Sequence, residues 1–525
     1  MQLLRLAAGL LLLVLCGCPG QQPVGPVHPK PPRIEKVPAD EAPQTAVSGS
    51  DAKAAMATNK ADPLADWPKP IFTLAITGQQ LGFIEPCGCT GLENQKGGLA
   101  RRYTFLKRLR EERGWDVVPL DVGGQVKRFG KEQELKFGQT VQALRQMQYR
   151  AIGLGEGDLR LTPGELLASI AGPDGTVKDF VSGNVAVLAR ELMPRYVVIE
   201  AGGKRIGVTS IVGAKNESRL QGDELVHELP MPALASVAEE LKAQNCDFHV
   251  LFVSGSLDEA RELAKVTPLF DLVAAAGETS IASHELEEIA GTKSRLMQVG
   301  QKAMYVGVVG LFDDAVRPVR YESVPLDARY ADSPEMLRLL AEYQQQLKDL
   351  GFEGLGVKPQ PHPSGRTFVG SEKCGECHAK AYKKWSTTPH AHALDSLVMP
   401  PNSRGDIARH FDPECLSCHV TGWEPQQHVP YASGYLSLEQ TPQLAHNGCE
   451  NCHGPGSAHV AAESGEGGAS AAVLAKLREA MKLPLAAGAA ERKCIECHDP
   501  DNSPDFHKPG AFEKYWAEVE HRGKD

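Results

Sequence analysis

The sequence predicts two folded regions of different class, an α/β region followed by a mainly helical one. Three observations carry this. From Ile71, short runs of β-branched and apolar residues alternate with amphipathic stretches of helical period, the pattern of buried strands covered by helices. From about residue 367 that alternation stops. In its place one pentapeptide form recurs: Cys374–His378 (CGECH), Cys415–His419 (CLSCH), Cys449–His453 (CENCH) and Cys494–His498 (CIECH).

The totals set outer limits. A chain of 525 residues has room for two or three cores. Its 42% hydrophobic and 23% charged residues are those of an ordinary globular protein. A formal charge of -10 gives no basic face for nucleic acid.

In chain order, residues 1–18 read as an export signal. Arg5 is followed by an apolar run from Leu6 to Leu15, too short for a permanent membrane span. The end of the run, Leu15-Cys16-Gly17-Cys18, resembles a bacterial lipoprotein signal. That resemblance implies a lipidated Cys18 as mature N-terminus, and hence a membrane partner. A plain secretory signal or an uncleaved anchor is the other reading, and each places the chain in the periplasm or at the cell surface. Residues 19–68, rich in Pro, Ala, Gln and Asp without hydrophobic period, read as a flexible tether.

Residues 69–326 form the α/β region. IFTLAIT, DVVPLDV, RYVVIEA, RIGVTSIV, DFHVLFVS and DLVAAAG read as strands, and ARRYTFLKRLREERG and PALASVAEELKAQ as helices. Residues 327–366 hold a helix from about Ser333 to Leu350 and a Pro-rich linker, VKPQPHPSGR. Residues 367–525 are the region of repeated pentapeptides. Within them Ala461–Ala490 reads as a short exposed helix with loops, and no strands are expected.

Cysteine use carries the chemistry. Of 13 cysteines, the signal takes Cys16 and Cys18, and the repeats take Cys374, Cys377, Cys415, Cys418, Cys449, Cys452, Cys494 and Cys497. Zinc would explain paired cysteines, but not a histidine directly after each second one. Covalent c-type haem demands that arrangement, since two thiols add to the vinyl groups and the next imidazole becomes the proximal iron ligand. Four haems follow, with His378, His419, His453 and His498 as proximal ligands. So many cofactors in so short a region make the porphyrins the core. Sixth ligands would come from His390, His392, His410, His428, His446, His459, His507 or His521.

The segments SEKCGECHAKAYKKWSTTPHAHAL, CLSCHVTGW, GCENCHGPGSAHV and CIECHDPDNSPDF…KYWAEVEH, over about Phe368 to His521, resemble the tetrahaem cytochrome family that includes the electron acceptor of hydroxylamine oxidoreductase. The resemblance implies His390, His459 and His521 as distal ligands. It also implies one haem without a distal protein ligand, that on Cys415 and Cys418, unless His410 or His446 fills the place.

The α/β pieces GGLARRYTFLKRLR, LDVGG, AIGLGEGDL, SGNVAV, VLFVSGS, DLVAAAGETS and LMQVGQKAMYVGVVGLFDD resemble the calcineurin-like metallophosphoesterases, in their 5′-nucleotidase branch. This implies a layered α/β sandwich, and in active members a two-metal centre. Here the ligand positions hold Thr77-Gly78-Gln79, Gly123-Gly124, Gly155-Glu156-Gly157-Asp158, Gly255 and Gly277-Glu278-Thr279-Ser280. Most are poor ligands, so no dimetal centre is expected. Glu85, Glu156 and Asp158 are candidates for lining the old cleft. Cys87 and Cys89 in EPCGCTG read as a reducible disulfide, a soft-metal pair or a structural loop. Cys246 reads as a buried small hydrophobe.

The leading functional reading is an exported, lipid-anchored electron carrier between a redox donor and an acceptor, with the α/β region as a non-catalytic dock. The alternatives are a multihaem oxidoreductase, acting at an open haem or at Cys87/Cys89, and a periplasmic phosphoesterase with a haem appendage.

Overall fold

In chain order the strands of the α/β region are β1 (Phe72–Thr77), β2 (Val117–Asp121), β3 (Ala151–Ile152), β4 (Val185–Val187), β5 (Tyr196–Ala201), β6 (Lys204–Val212), β7 (Leu225–His227), β8 (Phe248–Ser254), β9 (Leu272–Ala275), β10 (Glu287–Glu288), β11 (Arg295–Gln298), β12 (Tyr305–Leu311) and β13 (Val319–Pro325). They come from a computed structural model that describes residues 61–86, 95–217, 224–277, 279–400 and 407–521. Cys18, Cys87, Cys89 and Glu278 lie outside the described residues, as do the signal and nearly all of the tether.

The strands form a five-stranded sheet, β13-β12-β1-β2-β3, and a six-stranded one, β10-β11-β9-β8-β6-β5. β4 and β7 pair separately. In the first sheet β1 runs parallel to β2, with Thr77 opposite Asp121, and antiparallel to β12. In the second, β6, β8, β9 and β11 are parallel.

Side chains alternate between the two faces of a strand, and here both faces are buried. Phe72, Leu74 and Ile76 of β1 share one core with Val250 and Phe252 of β8. Phe72 meets Phe248 edge-on at 5.7 Å. The two sheets therefore pack face to face. The other face of the first sheet, with Ala75, Ile152, Val306 and Val308, packs under helices α1 (Leu99–Lys107), α2 (Lys131–Gln146) and α3 (Pro163–Ile170). The other face of the second, with Leu251, Val253 and Val273, packs under α4 (Pro230–Ala243) and α5 (Leu257–Val266). The result is the layered α/β sandwich that the sequence predicted, helices outside and two sheets within.

Helix α6 (Pro334–Gly354) starts where Ser333 Oγ accepts a bond from Met336 N–H at 3.2 Å, an N-cap followed by proline at the first position. The Pro-rich stretch after it is not a loose linker. Gln360 N–H donates to Pro430 O at 3.0 Å, and the His362 ring packs 4.6 Å from that of Tyr431. This segment lies on the following region and is held there.

The remaining helices are short: α7 (Ser371–Gly375), α8 (Ala379–Trp385), α9 (Pro413–His419), α10 (Cys449–His453), α11 (Ser457–Glu463), α12 (Ala471–Ala480), α13 (Ala489–Cys494) and α14 (Ala511–Val519). One small ladder, β14 (Trp423–Glu424) with β15 (Val429–Pro430), corrects the expectation of no strands. A modest apolar cluster of Leu394, Leu397, Leu416, Val420, Trp423, Tyr435 and Leu444 surrounds the second pentapeptide. As expected for the insert, α12 buries none of its residues. No helix among the described residues is long and apolar enough to cross a membrane.

Candidate haem sites and their boundary

Each pentapeptide is one helical turn. His378 N–H donates to Cys374 O, and His498 N–H to Cys494 O, both at 2.9 Å. The second and third pentapeptides lie wholly within α9 and α10. A turn of helix sets residues three apart on one side with the next residue beside them. Two thiols and an imidazole are thus presented together, as attachment of a c-type haem requires. The eight thiols stand free, with no disulfide among them.

Across the region, histidines distant in sequence face one another. The rings of His378 and His459 have their centroids 6.4 Å apart, those of His498 and His390 6.0 Å, and those of His453 and His521 5.7 Å. A metal ion bonded at about 2 Å to a nitrogen of each of two opposed imidazoles holds rings at such a separation. Each pair joins one pentapeptide histidine to one of the three candidates His390, His459 and His521. The residues fit the group their motifs imply.

The ring orientations are set from behind. His453 Nδ1 lies 2.7 Å from Met481 O, His419 Nδ1 2.7 Å from Ala393 O, His521 Nδ1 2.9 Å from Val519 O, and His498 Nδ1 3.0 Å from Ser503 Oγ. Donation through Nδ1 to a carbonyl leaves Nε2 as the ligating nitrogen. Burial pushes His390, His453 and His459 below the ordinary imidazole range, and His498 down to about 4. Neutral imidazole is the form that binds a metal.

The other histidines have different neighbours. His428, in a left-handed backbone conformation, is bonded by Arg128 at 2.6 Å, and burial pushes its imidazole down to about 4. His507 Nε2 meets His498 O at 2.7 Å. His446 Nδ1 accepts from Leu394 N–H at 3.3 Å, its ring 6.2 Å from that of His392. The His410 ring lies tilted 3.9 Å from that of Phe411, with a buried Nδ1 that has no hydrogen-bond partner.

The pentapeptides also touch one another. Cys374 and Cys449 are within hydrogen-bond reach, as are Cys418 and Cys497, and Cys452 and Cys494 feel each other's charge. Glu450, inside the third pentapeptide, accepts the N–H groups of Gly370 and Gly456 at 2.8 Å and of Val369 at 3.0 Å. That carboxylate ties the third repeat to the entry of the first. The thiols thus neighbour one another first with third, third with fourth and fourth with second, and Asn447 Nδ2, at the entry of the third repeat, also donates to Cys418 O of the second at 2.9 Å.

The second repeat lies against the α/β region. Lys136 of α2 reaches Glu132 at 2.8 Å and Glu414 at 2.5 Å, and Gln133 reaches Glu414 at 3.0 Å. Tyr343 of α6 donates toward Glu132 at 3.2 Å and Asp412 at 3.3 Å. Arg409 pairs with Glu85 at 2.5 and 2.6 Å, while Lys302 and Lys127 reach Asp501 at 2.8 and 3.2 Å. Sequence reasoning missed this boundary cluster. Its one local signal was Asp412-Pro413-Glu414 before CLSCH, which reads as a helix N-cap.

The boundary contacts from the α/β side come from α2, α6 and loops at the carboxyl ends of β1, β2 and β11, the edge where α/β folds place their ligands. Glu85 thus pairs with Arg409 and also lines a small cavity beside Gln95, Arg101 and Asp332. Asp158 is fully buried and accepts four backbone N–H groups, from Gly124, Gln125, Val126 and Gly155, at 2.7 to 3.1 Å. It holds a turn instead of lining a cleft, and burial raises it to about 6. Asp121 accepts from Thr77 Oγ1 at 2.5 Å, Gly123 N–H at 2.9 Å and Gln125 Nε2 at 2.7 Å. Gln79 Nε2 donates to Gly277 O at 2.9 Å.

Residues 373–454 match the family described as cytochrome c554 and c-prime. A 99-residue stretch is 35% identical to cytochrome c-554 of Nitrosomonas europaea, covering 17% of this chain and 39% of that protein. The chain thus spans about two fifths of the length of the curated relative it matches. In structure the chain is similar to a 5′-nucleotidase precursor from Thermus thermophilus, at 20% identity and a TM-score of 0.44, over 53% of this chain and 59% of that one. It is also similar to the sulfate thiohydrolase SoxB of the same organism, at 14% identity and a TM-score of 0.45, over 54% and 62%.

Proposed function

We propose that this chain is an exported, lipid-anchored c-type cytochrome with four haems, which carries electrons between a redox donor and an acceptor. The α/β region serves as its dock, without a dimetal hydrolase centre. The observation that carries the reading is the set of three opposed histidine pairs, each joining a pentapeptide to a distant histidine.

When bound, the haems supply iron centres that gain and lose single electrons. The chain's own part is to hold, orient and space them. His378 with His459, His498 with His390, and His453 with His521 would each hold one haem iron. Hydrogen bonds of the ring Nδ1 atoms with Met481 O, Ser503 Oγ and Val519 O fix the imidazole planes. The thiol neighbours bring the attachment sites together pairwise, first with third, third with fourth and fourth with second. Of the motif cysteines, Cys377 in the first repeat is exposed, whereas the second repeat abuts the α/β region.

Electron paramagnetic resonance of the oxidised haem-loaded protein, and carbon monoxide binding after reduction, test the reading. A carrier gives low-spin signals, with at most one open haem, and binds no carbon monoxide. A high-spin fraction near one haem in four that binds carbon monoxide puts an enzyme in its place, and the resemblance assigns that haem to Cys415 and Cys418. Phosphatase activity with added divalent metals would overturn the docking role.

One observation favours a second reading, redox chemistry at Cys87 and Cys89. Glu85, two residues earlier, is bound to Arg409, and its charge reaches Cys415. Thiols at Cys87 and Cys89 whose alkylation follows the haem potentials would support it.

A further inference from the structure

Around the first repeat the local charge opposes that of the chain. Residues 371–385, SEKCGECHAKAYKKW, carry Lys373, Lys380, Lys383 and Lys384 against Glu372 and Glu376, in a protein of net charge -10. The lysines of α8 are spaced three and four apart, on one face of the helix. Its opposite face is fixed inward. Trp385 Nε1 donates to Asn447 O at 2.9 Å, and the tilted Tyr382 ring lies 5.4 Å from that of Trp385. A Cβ at Gly375, inside the pentapeptide, would come within 2.8 Å of the Tyr382 ring. With the aromatic face packed on α7, Lys380 and Lys383 stand exposed and Lys384 half-buried, directly after His378 and next to exposed Cys377.

We propose that the lysine face of α8 is the docking surface for an acidic redox protein, which exchanges electrons with this chain at the first repeat. Complementary charge steers encounter and fixes orientation more than it adds affinity, as suits a partner that must leave after each transfer. An anionic membrane fits the face less well. A surface-bound amphipathic helix inserts its apolar side into lipid, and here Tyr382 and Trp385 are half-buried and held against Gly375 and Asn447. The second repeat offers no equal, since Asp412 and Glu414 flank it at the boundary with α2.

This inference rests on the electron-carrier reading, and its test is separate from electron flow. The haem-loaded full chain is titrated with an acidic flavodoxin, both proteins oxidised, at low and at physiological salt, where screening lengths differ severalfold. Binding weakens as salt rises. The triple variant Lys380→Gln, Lys383→Gln, Lys384→Gln keeps helix propensity and the Soret spectrum, and weakens low-salt binding by about tenfold, from three surface pairs of modest strength. A control triple of exposed lysines elsewhere, Lys265→Gln, Lys476→Gln, Lys514→Gln, changes it by less than about twofold. Equal losses in both triples would mean that net charge alone acts, and would overturn the proposal. So would unchanged flavodoxin binding by the face triple, or a loss confined to phosphatidylserine vesicles. A protein that lacks haem yet shows this salt-dependent binding would instead count against the carrier reading alone.

Discussion

At Lys136 one ammonium serves three carboxylates where α2 meets the second repeat. It bonds Glu132 and Glu414, while Tyr343 bridges Glu132 and Asp412. Lys136, even with Arg128 3.7 Å from Glu414, cannot keep Glu132, Asp412 and Glu414 all ionised where Asp412 is buried and the other two half-buried. Glu414 is held down to about 2 with Lys136 as its strongest opposing charge, whereas burial and the like charges of Glu414 and Asp412 raise Glu132 to about 8. The signs are opposite. The folded state takes a proton on Glu132 that the unfolded chain releases near 4.5, so this group's contribution to stability falls as pH rises from there toward about 8. Glu414 contributes stability above its unfolded value, which is lost as pH falls toward about 2. Glu132→Gln, a mimic of the protonated acid, therefore raises the melting temperature at pH 9 by roughly 2–4 °C, about 1 kcal/mol, and has little effect at pH 4, where both states hold the proton. An equal shift at both would contradict the assignment. Lys136→Met strands the carboxylates and costs about 3 kcal/mol in urea unfolding; a loss below about 1 kcal/mol would show the cluster to be solvated.

At the scale of elements, the repeats act as single helical turns whose partners come from elsewhere. His459→Ala removes the ring opposite His378, so one low-spin signal becomes high-spin while the others stay. His392→Ala leaves the spectrum as it was. If the two variants behave alike, the pairing is wrong. The elements differ in how openly the sequence shows them. β1, β6 and β8 are buried on both faces, so their apolar runs mark them out. Helix α2 is not legible in that way, because Gln133, Lys136, Gln139 and Thr140 lie among its buried positions, and its polar side packs on the second repeat. The pentapeptides name their own histidines, whereas His390, His459 and His521 are set only by the fold. Family resemblance pointed to them, since periodicity cannot link His378 to His459.

For the whole molecule, the haem-binding region is fastened over the carboxyl edge of the α/β sandwich. The fasteners are Glu85–Arg409, Lys136–Glu414 and the Asp501 pairs with Lys127 and Lys302. No sequence pattern pairs residues several hundred positions apart, which is why this docking was not foreseen while both regions were. Asp158 reads as a cleft carboxylate for the same reason: its partners, the backbone of residues 124–126, become neighbours only in the fold. Arg409→Ala with Asp501→Asn loosens the fastening and speeds amide hydrogen exchange in residues 79–86 and 407–412 by about tenfold, with α4 and α5 unchanged. Uniform protection across the chain would show that other contacts hold the regions together.

The account depends most on the cofactors themselves. Intact-mass measurement of the mature protein, purified from an oxidising compartment of a host able to attach c-type haem, tests it directly. The prediction is a single species heavier than the mature polypeptide and any N-terminal lipid by four haems, resistant to acid-acetone extraction. A fully exported protein with fewer covalent haems, or with free thiols at any of the four repeats, would contradict it.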